Sequence, residues 1–443
     1  MRNFIKLIEG LIEAVTQNPD RISTRLPTSK KVDDLRHDLT VDMDSAKADP
    51  KSFDHNIGLV KKYAALKHAD KRGKSERVAD KFVNHVKDNL LFLHDKMPED
   101  QRARARLWYD GANKLTKDRA NEYGLPHAAV AAVYAALSPQ KTWHENASIG
   151  DRVLDAYLNR RDAPWTPEME ETALRIWHND RNKPIHEAIR GLPLEKLVDI
   201  DHKAAWIRTY DEAHNPSHYP MVEPEGRLGR TYTNGDAYGA GANNADQHAK
   251  LRWGSVAEIS KAIGAIEANS DIDKISRLMG ERHKVRNFYN NIVDPNGHHG
   301  DVTIDTHAVA AGLLHPLGGN TTEVAHNFKN TLPATAQGGA EFTPAKGSII
   351  TGVHGTYPLY ADAYRRAAKE RNILPREMQS ITWEAAKGLF NGNGNGKAKH
   401  LDTIKKLWHS YQDGKMSGED VRNHIHDISG GIETPDWAKK RDI

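Results

Sequence analysis

"GDVTIDTHAVAAG", residues 300–312, joins a short apolar run, Val302-Thr303-Ile304, to an alanine-rich run that begins at Thr306. The first half has β-like composition, and the second has the small side chains of a good helix former. Asp305, Thr306 and His307 stand at the junction. An Asp just ahead of a helix is an ordinary N-cap, because its carboxylate accepts a free N–H of the first turn. The helix dipole also favours the ionised carboxylate at that place, so the same residue is available as an anion for chemistry. The residue pattern by itself supports the cap and leaves the chemistry open.

Most of the surrounding sequence has helical spacing, which makes the class mainly α. "NIGLVKKYAALKHADK" and "VADKFVNHVKDNLLFLHDKM" are helical patches in a charge-rich region, 1–100, that reads as a helical accessory region. Its first stretch, "MRNFIKLIEGLIEAV", has apolar residues at helical spacing interrupted by Lys6, Glu9 and Glu13. That is an amphipathic helix rather than the unbroken apolar core of a signal peptide. Residues 101–390 read as a helical core. "ARARLWYDGANKLTKDRANEYG" predicts one helix ending near Gly124, and "LPHAAVAAVYAALSPQKTWHENASIGDRVLDAYL" predicts two helices parted by a Ser-Pro break. Residues 160–260 are less regular and look like an insertion; within them "HNPSHYPMVEPEGRLGRTYTNGDAYGAGANNADQHAK" predicts a long loop. Residues 391–400 form a Gly/Asn linker. Residues 401–443 are a small helical tail, with Ser417 and Asp420 spaced as a capping box.

Composition narrows the chemistry. The 443 residues hold 63 Lys and Arg against 60 Asp and Glu, and no cysteine. A formal charge of +3 permits nucleic-acid binding without requiring it. Without cysteine there is no disulfide, thiolate zinc site, cysteine nucleophile or cysteine-ligated iron–sulfur cluster. No apolar run approaches the length of a membrane span, so the expectation is a soluble, cytoplasmic protein. His298, His299, Asp301, Asp305 and His307 have the composition of a metal site, but "PNGHHGD" also reads as a plain turn and no helical i,i+4 ligand pair backs it. No metal or other cofactor is expected.

Three segments carry a family resemblance: Leu137-Ser138-Pro139-Gln140, Leu278-Met279-Gly280-Glu281-Arg282-His283-Lys284, and Ile304-Asp305-Thr306-His307. In order and spacing they resemble the helix-hairpin-helix (HhH-GPD) DNA glycosylase superfamily, of which bacterial endonuclease III is a member. "GTYPLYADAYRRAAKERNILPREMQSITWEAAKGLF", residues 355–390, also looks like bacteriophage proteins related to these enzymes. The resemblance implies a helix-hairpin-helix core acting on DNA, duplex or locally unpaired, and cutting or exchanging the N-glycosidic bond of a flipped base, ordinary or modified. Asp305 would then be the catalytic carboxylate that stabilises an oxocarbenium-like sugar or activates water. Lys284 would be the amine nucleophile of a bifunctional member, which adds AP lyase activity. Gln140 would fill the gap left by the flipped base, and Gly280 would belong to the phosphate-binding hairpin. Arg282 replaces that hairpin's second glycine and offers a guanidinium to phosphate instead.

Other readings of the same residues stand beside these. On spacing alone, Lys284 is a solvated helix lysine and Gln140 a surface residue. Lys141 and Trp143 adjoin Gln140, and Trp143 is the best placed aromatic for stacking on a base. Trp108, Tyr109 and Tyr134 fit a helical core. Arg102, Arg104 and Arg106, with Lys114 and Lys117, form a basic region suited to phosphate. Two further functions remain: a non-catalytic DNA-binding or virion-associated protein that keeps the fold, and a metal-dependent nuclease using the His/Asp cluster.

Overall fold

The computed structural model describes residues 43–47, 50–67, 74–141, 143–179, 183–215, 220–222, 228–231, 251–279, 283–319, 321–328, 355–390 and 396–432. The amphipathic stretch 1–15, Gly280, Arg282 and the linker residues 391–395 lie outside them.

The chain is mainly helical. In order it forms α1 (Met43–Lys47), α2 (Pro50–Tyr63), α3 (Ser75–Lys96), α4 (Glu99–Arg106), α5 (Trp108–Tyr123), α6 (His127–Ala136) and α7 (Trp143–Asn159). Next come α8 (Pro167–Ile176), α9 (Lys183–Ile189), a 3-10 turn at Leu194–Lys196 and α10 (Ile200–His214). An antiparallel pair, β1 (Pro220–Val222) with β2 (Leu228–Thr231), sets Pro220 opposite Thr231 and Val222 opposite Leu228. The helices α11 (Val256–Ala268), α12 (Ile272–Met279), α13 (His283–Val293), α14 (Thr306–Leu313) and α15 (Thr322–Phe328) follow. The chain closes with α16 (Tyr357–Glu370), α17 (Pro375–Phe390), α18 (Gly396–Gln412) and α19 (Gly418–Ile428).

Two compact units divide the described residues: 112–279, and 43–111 with 283–432. The first is built around α6, in which every residue from Ala128 to Ala136 is buried. A helix of Ala and Val lets neighbours approach closely. Gly150 on α7 illustrates this, since a Cβ there would lie 3.1 Å from the Tyr134 ring. Gly264 on α11 does the same against Leu278 of α12, at 3.0 Å. Trp206 of α10 is fully buried and donates its indole N–H to Leu192 O at 2.9 Å. Arg152 of α7 pairs with the buried Asp211 of α10 at 2.9 Å; burial raises the Asp211 carboxyl, against the pull of Arg152.

The second unit packs α14, α16 and α17 against the long helix α3. Phe82, Val83, Val86 and Leu90 of α3 are fully buried, and Tyr360 of α16 meets Phe82 edge-on at 5.2 Å. Gly312 of α14 is needed here, because a Cβ would come within 3.0 Å of Val86 and 3.1 Å of Tyr360. Asn89 of α3 donates to the Gly312 carbonyl at 3.0 Å and anchors the same contact. The α18–α19 pair buries Trp408 against His85 of α3, their rings 4.7 Å apart. Ser417 forms the expected capping box with Asp420.

Three expectations change. The single helix expected to end near Gly124 is broken at Leu107, whose N–H turns back to Arg104 O at 3.0 Å; Gly124 then ends α5 at φ +64°. Within residues expected to be irregular stand three helices, Pro167–Ile176, Lys183–Ile189 and Ile200–His214, with α8 capped by Thr166 and started by Pro167, and α10 capped by Asp199. Their shortness and prolines hide the helical period. Val302-Thr303-Ile304 is extended but joins no sheet; side chains supply its partners instead.

Candidate active site around Asp305

The site begins with α13. Ten of its eleven residues are buried, and several are polar: Asn287, Asn290 and Asn291 among them. Asn287 donates to Val302 O at 3.1 Å, Asn290 to Asp301 Oδ2 at 2.8 Å, and Asn291 to Thr303 Oγ1 at 3.2 Å. The Tyr357 hydroxyl completes the fastening. It donates to Val302 O at 2.6 Å and accepts from Asn287 at 2.9 Å and Ile304 N at 3.0 Å. A buried extended backbone needs such partners when no strand lies beside it. His299 Nε2–H donates to Asp294 O at 3.3 Å, and its Nδ1 accepts Asp301 N–H at 3.2 Å. The chain thus doubles back along α13, from Asp294 and His299 through Asn290 and Asp301 to Asn287 and Val302. It leads directly into Asp305 and the start of α14.

Lys284 is the one residue of α13 that is not buried; it is half-buried. A cation in the first turn meets the positive end of the helix dipole, so capping does not explain it.

Asp305 is the N-cap of α14, as its sequence position predicts. Its Oδ1 accepts Ala308 N–H at 2.8 Å. Its Oδ2 accepts the indole N–H of Trp383, on α17, at 3.1 Å. Asp305, Thr306 and His307 are half-buried, as are Trp383, Glu384 and Lys387 on the facing side of α17. His307 meets Trp383 edge-on at 5.8 Å, Trp108 lies 6.4 Å from it, and the Lys387 ammonium sits 3.8 Å from its ring centroid. That last contact is a cation–π pair. Glu384 is ion-paired with Arg104; burial raises its carboxyl, and the Arg104 guanidinium opposes the rise. Tyr109 and Tyr364 feel the Asp305 charge from the core side, and burial holds both phenols neutral. The arrangement presents one carboxylate, fixed at both oxygens, on a half-exposed surface of indole, imidazole and ammonium.

Sequence reasoning singled out Asp305 and Trp108 but missed Trp383 and Lys387. They lie 78 and 82 positions further on, inside an ordinary amphipathic helix, with no local signal to mark them. The basic region is also corrected. Arg104 pairs with Glu384, Arg106 Nε lies 3.1 Å from Glu377, and Arg102 donates to His94 O at 3.3 Å. In the other unit, Lys114 bonds Asp118 on its own helix at 2.8 Å. Arg104 and Arg106 are thus held in ion pairs within the fold, whereas Lys114 makes a part-exposed pair on its own helix.

Gln140, Lys141 and Trp143 belong to the other compact unit. Gln140 is exposed and holds φ +58°, a left-handed backbone that a non-glycine residue adopts at a cost of about 1–2 kcal/mol. The half-buried Lys141 turns its ammonium back to Pro139 O at 3.4 Å. Trp143 opens α7 and lies 6.2 Å from the Tyr134 ring. Tyr134 itself is core, as expected, hydrogen-bonded to Asp151, which Arg119 grips with two bonds of 2.8 and 2.9 Å.

Among the described residues no three His, Cys, Asp or Glu side chains are grouped to hold a metal ion, and no helix is long and apolar enough to cross a membrane. The bonds of His299 use both ring nitrogens within the turn.

A family profile described as "Family of unknown function (DUF7178)" matches residues 68–162. That span runs through α3 to α7 and contains Gln140, Lys141 and Trp143, but neither Lys284 nor Asp305. Neither a curated protein nor a solved structure matches the chain.

Proposed function

We propose that the protein is a DNA base-excision enzyme of the helix-hairpin-helix glycosylase type, with Asp305 as its reacting carboxylate. The observation that carries the reading is the placement of Asp305: a half-exposed acid at a helix start, anchored at both oxygens, beside aromatic side chains. In the reaction the C1′–N bond breaks and its electron pair leaves with the base, which takes up a proton. A water oxygen bonds to C1′ and gives its proton to Asp305, whose charge also stabilises the cationic sugar in between. Lys284, the half-buried residue of α13, is the alternative nucleophile; its amine would displace the base and form a Schiff base with the sugar carbon. The exposed, strained Gln140 supports a contact with DNA.

The test exploits the cap. Asn caps a helix as well as Asp does, so Asp305→Asn removes the charge and keeps the fold. Nucleosides and free bases from DNA incubated with each protein are measured by mass spectrometry. Base release by the wild type and none by Asp305→Asn supports the reading; equal release by both overturns it. Borohydride trapping decides the lysine, since a Lys284-dependent covalent DNA adduct requires the Schiff base.

A second reading has its own observation. The Oδ1 bond from Ala308 N–H is what a plain N-cap makes, with no reaction needed to explain it. On that reading the chain binds DNA, or sits in a virion, without cutting it. Salt-dependent DNA binding with no base release favours it.

A further inference from the structure

Capping α14 needs one carboxylate oxygen, and Oδ1 of Asp305 supplies it. The second oxygen is held by a residue 78 positions away in sequence, on a different helix, through an indole N–H. Nothing in helix formation requires that second bond. An indole N–H only donates, so it fits the ionised carboxylate and cannot accept from a protonated one. The ring that carries it is itself held: Trp108 flanks it, His307 meets it edge-on, and the Lys387 ammonium lies over its face. A cation over the ring draws electron density from it and makes the N–H a stronger donor.

We infer that Trp383, steadied by Lys387, is a positioning residue that holds Asp305 in one rotamer with its charge facing the half-exposed surface. The inference rests on the reading of Asp305 as the reacting carboxylate. Tyr109 on α5 and Tyr364 on α16 feel the charge of this carboxylate, and His307 on α14 and Lys387 on α17 pack on the Trp383 ring that binds it. Both phenols stay neutral, so removal of the indole N–H takes from the Asp305 carboxylate its second donor.

Trp383→Phe keeps a ring for Trp108, His307 and Lys387 and deletes only the N–H and part of the indole. On a DNA substrate that the wild type accepts, kcat is expected to fall about 10- to 100-fold, the scale of one hydrogen bond to a charged group. KM stays unchanged. Loss of activity in Asp305→Asn together with a wild-type kcat in Trp383→Phe overturns the inference and leaves the reading of Asp305 intact. Full activity in Asp305→Asn overturns that reading first. A measurement free of turnover runs alongside, on protein with 15N-labelled tryptophan. At neutral pH the Trp383 indole N–H resonance of the wild type should lie downfield of its position in Asp305→Asn, as a bond to a charged acceptor requires. The same position in both proteins overturns the positioning role whatever the activity.

Discussion

Two small-residue helices, α6 and α14, have nearly the same interior and different first turns. Every residue of α6 from Ala128 onward is buried, and so is every residue of α14 from Ala308 onward. Yet α6 starts after Pro126 with no side-chain cap, and its first residue, His127, bonds Thr116 at 2.9 Å. Burial pushes the His127 imidazole down to about 3, so it is neutral beside the positive end of the dipole. The helix α14 starts instead with a carboxylate tied to a distant tryptophan. Packing therefore accounts for both bodies, whereas the acid at one start is an addition that packing does not ask for. That excess is what distinguishes a candidate site from a core helix.

The largest expected effect breaks the comparison at its charged end. Asp305→Asn should lower base release about 10²- to 10⁴-fold, the range for loss of a group acting in acid–base catalysis. Its thermal midpoint should fall by only a few degrees, because α14 keeps a cap while the Trp383 N–H loses its acceptor; scanning calorimetry and the nucleoside assay check the two halves together. The next change tests whether the bodies are as alike as their composition. Gly312→Ala would force a Cβ against Val86 and Tyr360 and should destabilise the protein by about 1–3 kcal/mol in urea unfolding. Ala132→Gly in α6 should lose only about 0.5–1 kcal/mol, through backbone entropy.

Acid offers a third, intermediate handle. His85 on α3, like His127, is pushed down to about 3, chiefly by burial, with Arg422 and His315 adding to the effect. Above pH 6.5 both folded and unfolded forms are neutral and the stability is whole. As pH falls from 6.5 toward 3 the unfolded chain binds a proton that the folded one refuses, so stability drops by at most about 1.4 kcal/mol per pH unit for this group. Urea titrations at pH 7 and 5 should show that slope, and His85→Gln should flatten it. The smallest effect belongs to the Ser-Pro turn after α6. Gln140→Gly relieves the positive φ and should stabilise the protein by about 1 kcal/mol. A loss of DNA affinity in a protein made more stable would assign Gln140 to binding.

The helical class was legible because alanine runs, capping residues and breaks are local signals. Pro375, Gly124 and the Ser417–Asp420 box sit where the pattern puts them. Asp305 as a cap was legible for the same reason. Its second bond was not, because Trp383 and Asp305 meet only after α14 and α17 pack. Burial also inverted the meaning of residues read one at a time. Arg104 looks like a phosphate ligand in a string of arginines, but its partner, Glu384, is 280 positions away. The asparagines of α13 look like surface and are core, since the extended segment that needs their amides lies beyond a turn.

That extended segment has one more consequence. Val302, Thr303 and Ile304 are a β-prone run with no neighbouring strand among the described residues, and the Tyr357 hydroxyl covers both the Val302 carbonyl and the Ile304 amide. All three residues and the phenol are buried, so these backbone groups have no water to fall back on. One phenol oxygen stands in for a strand. Tyr357→Phe would take that partner from both groups, and the expected outcome is a loss of about 1–3 kcal/mol in urea unfolding.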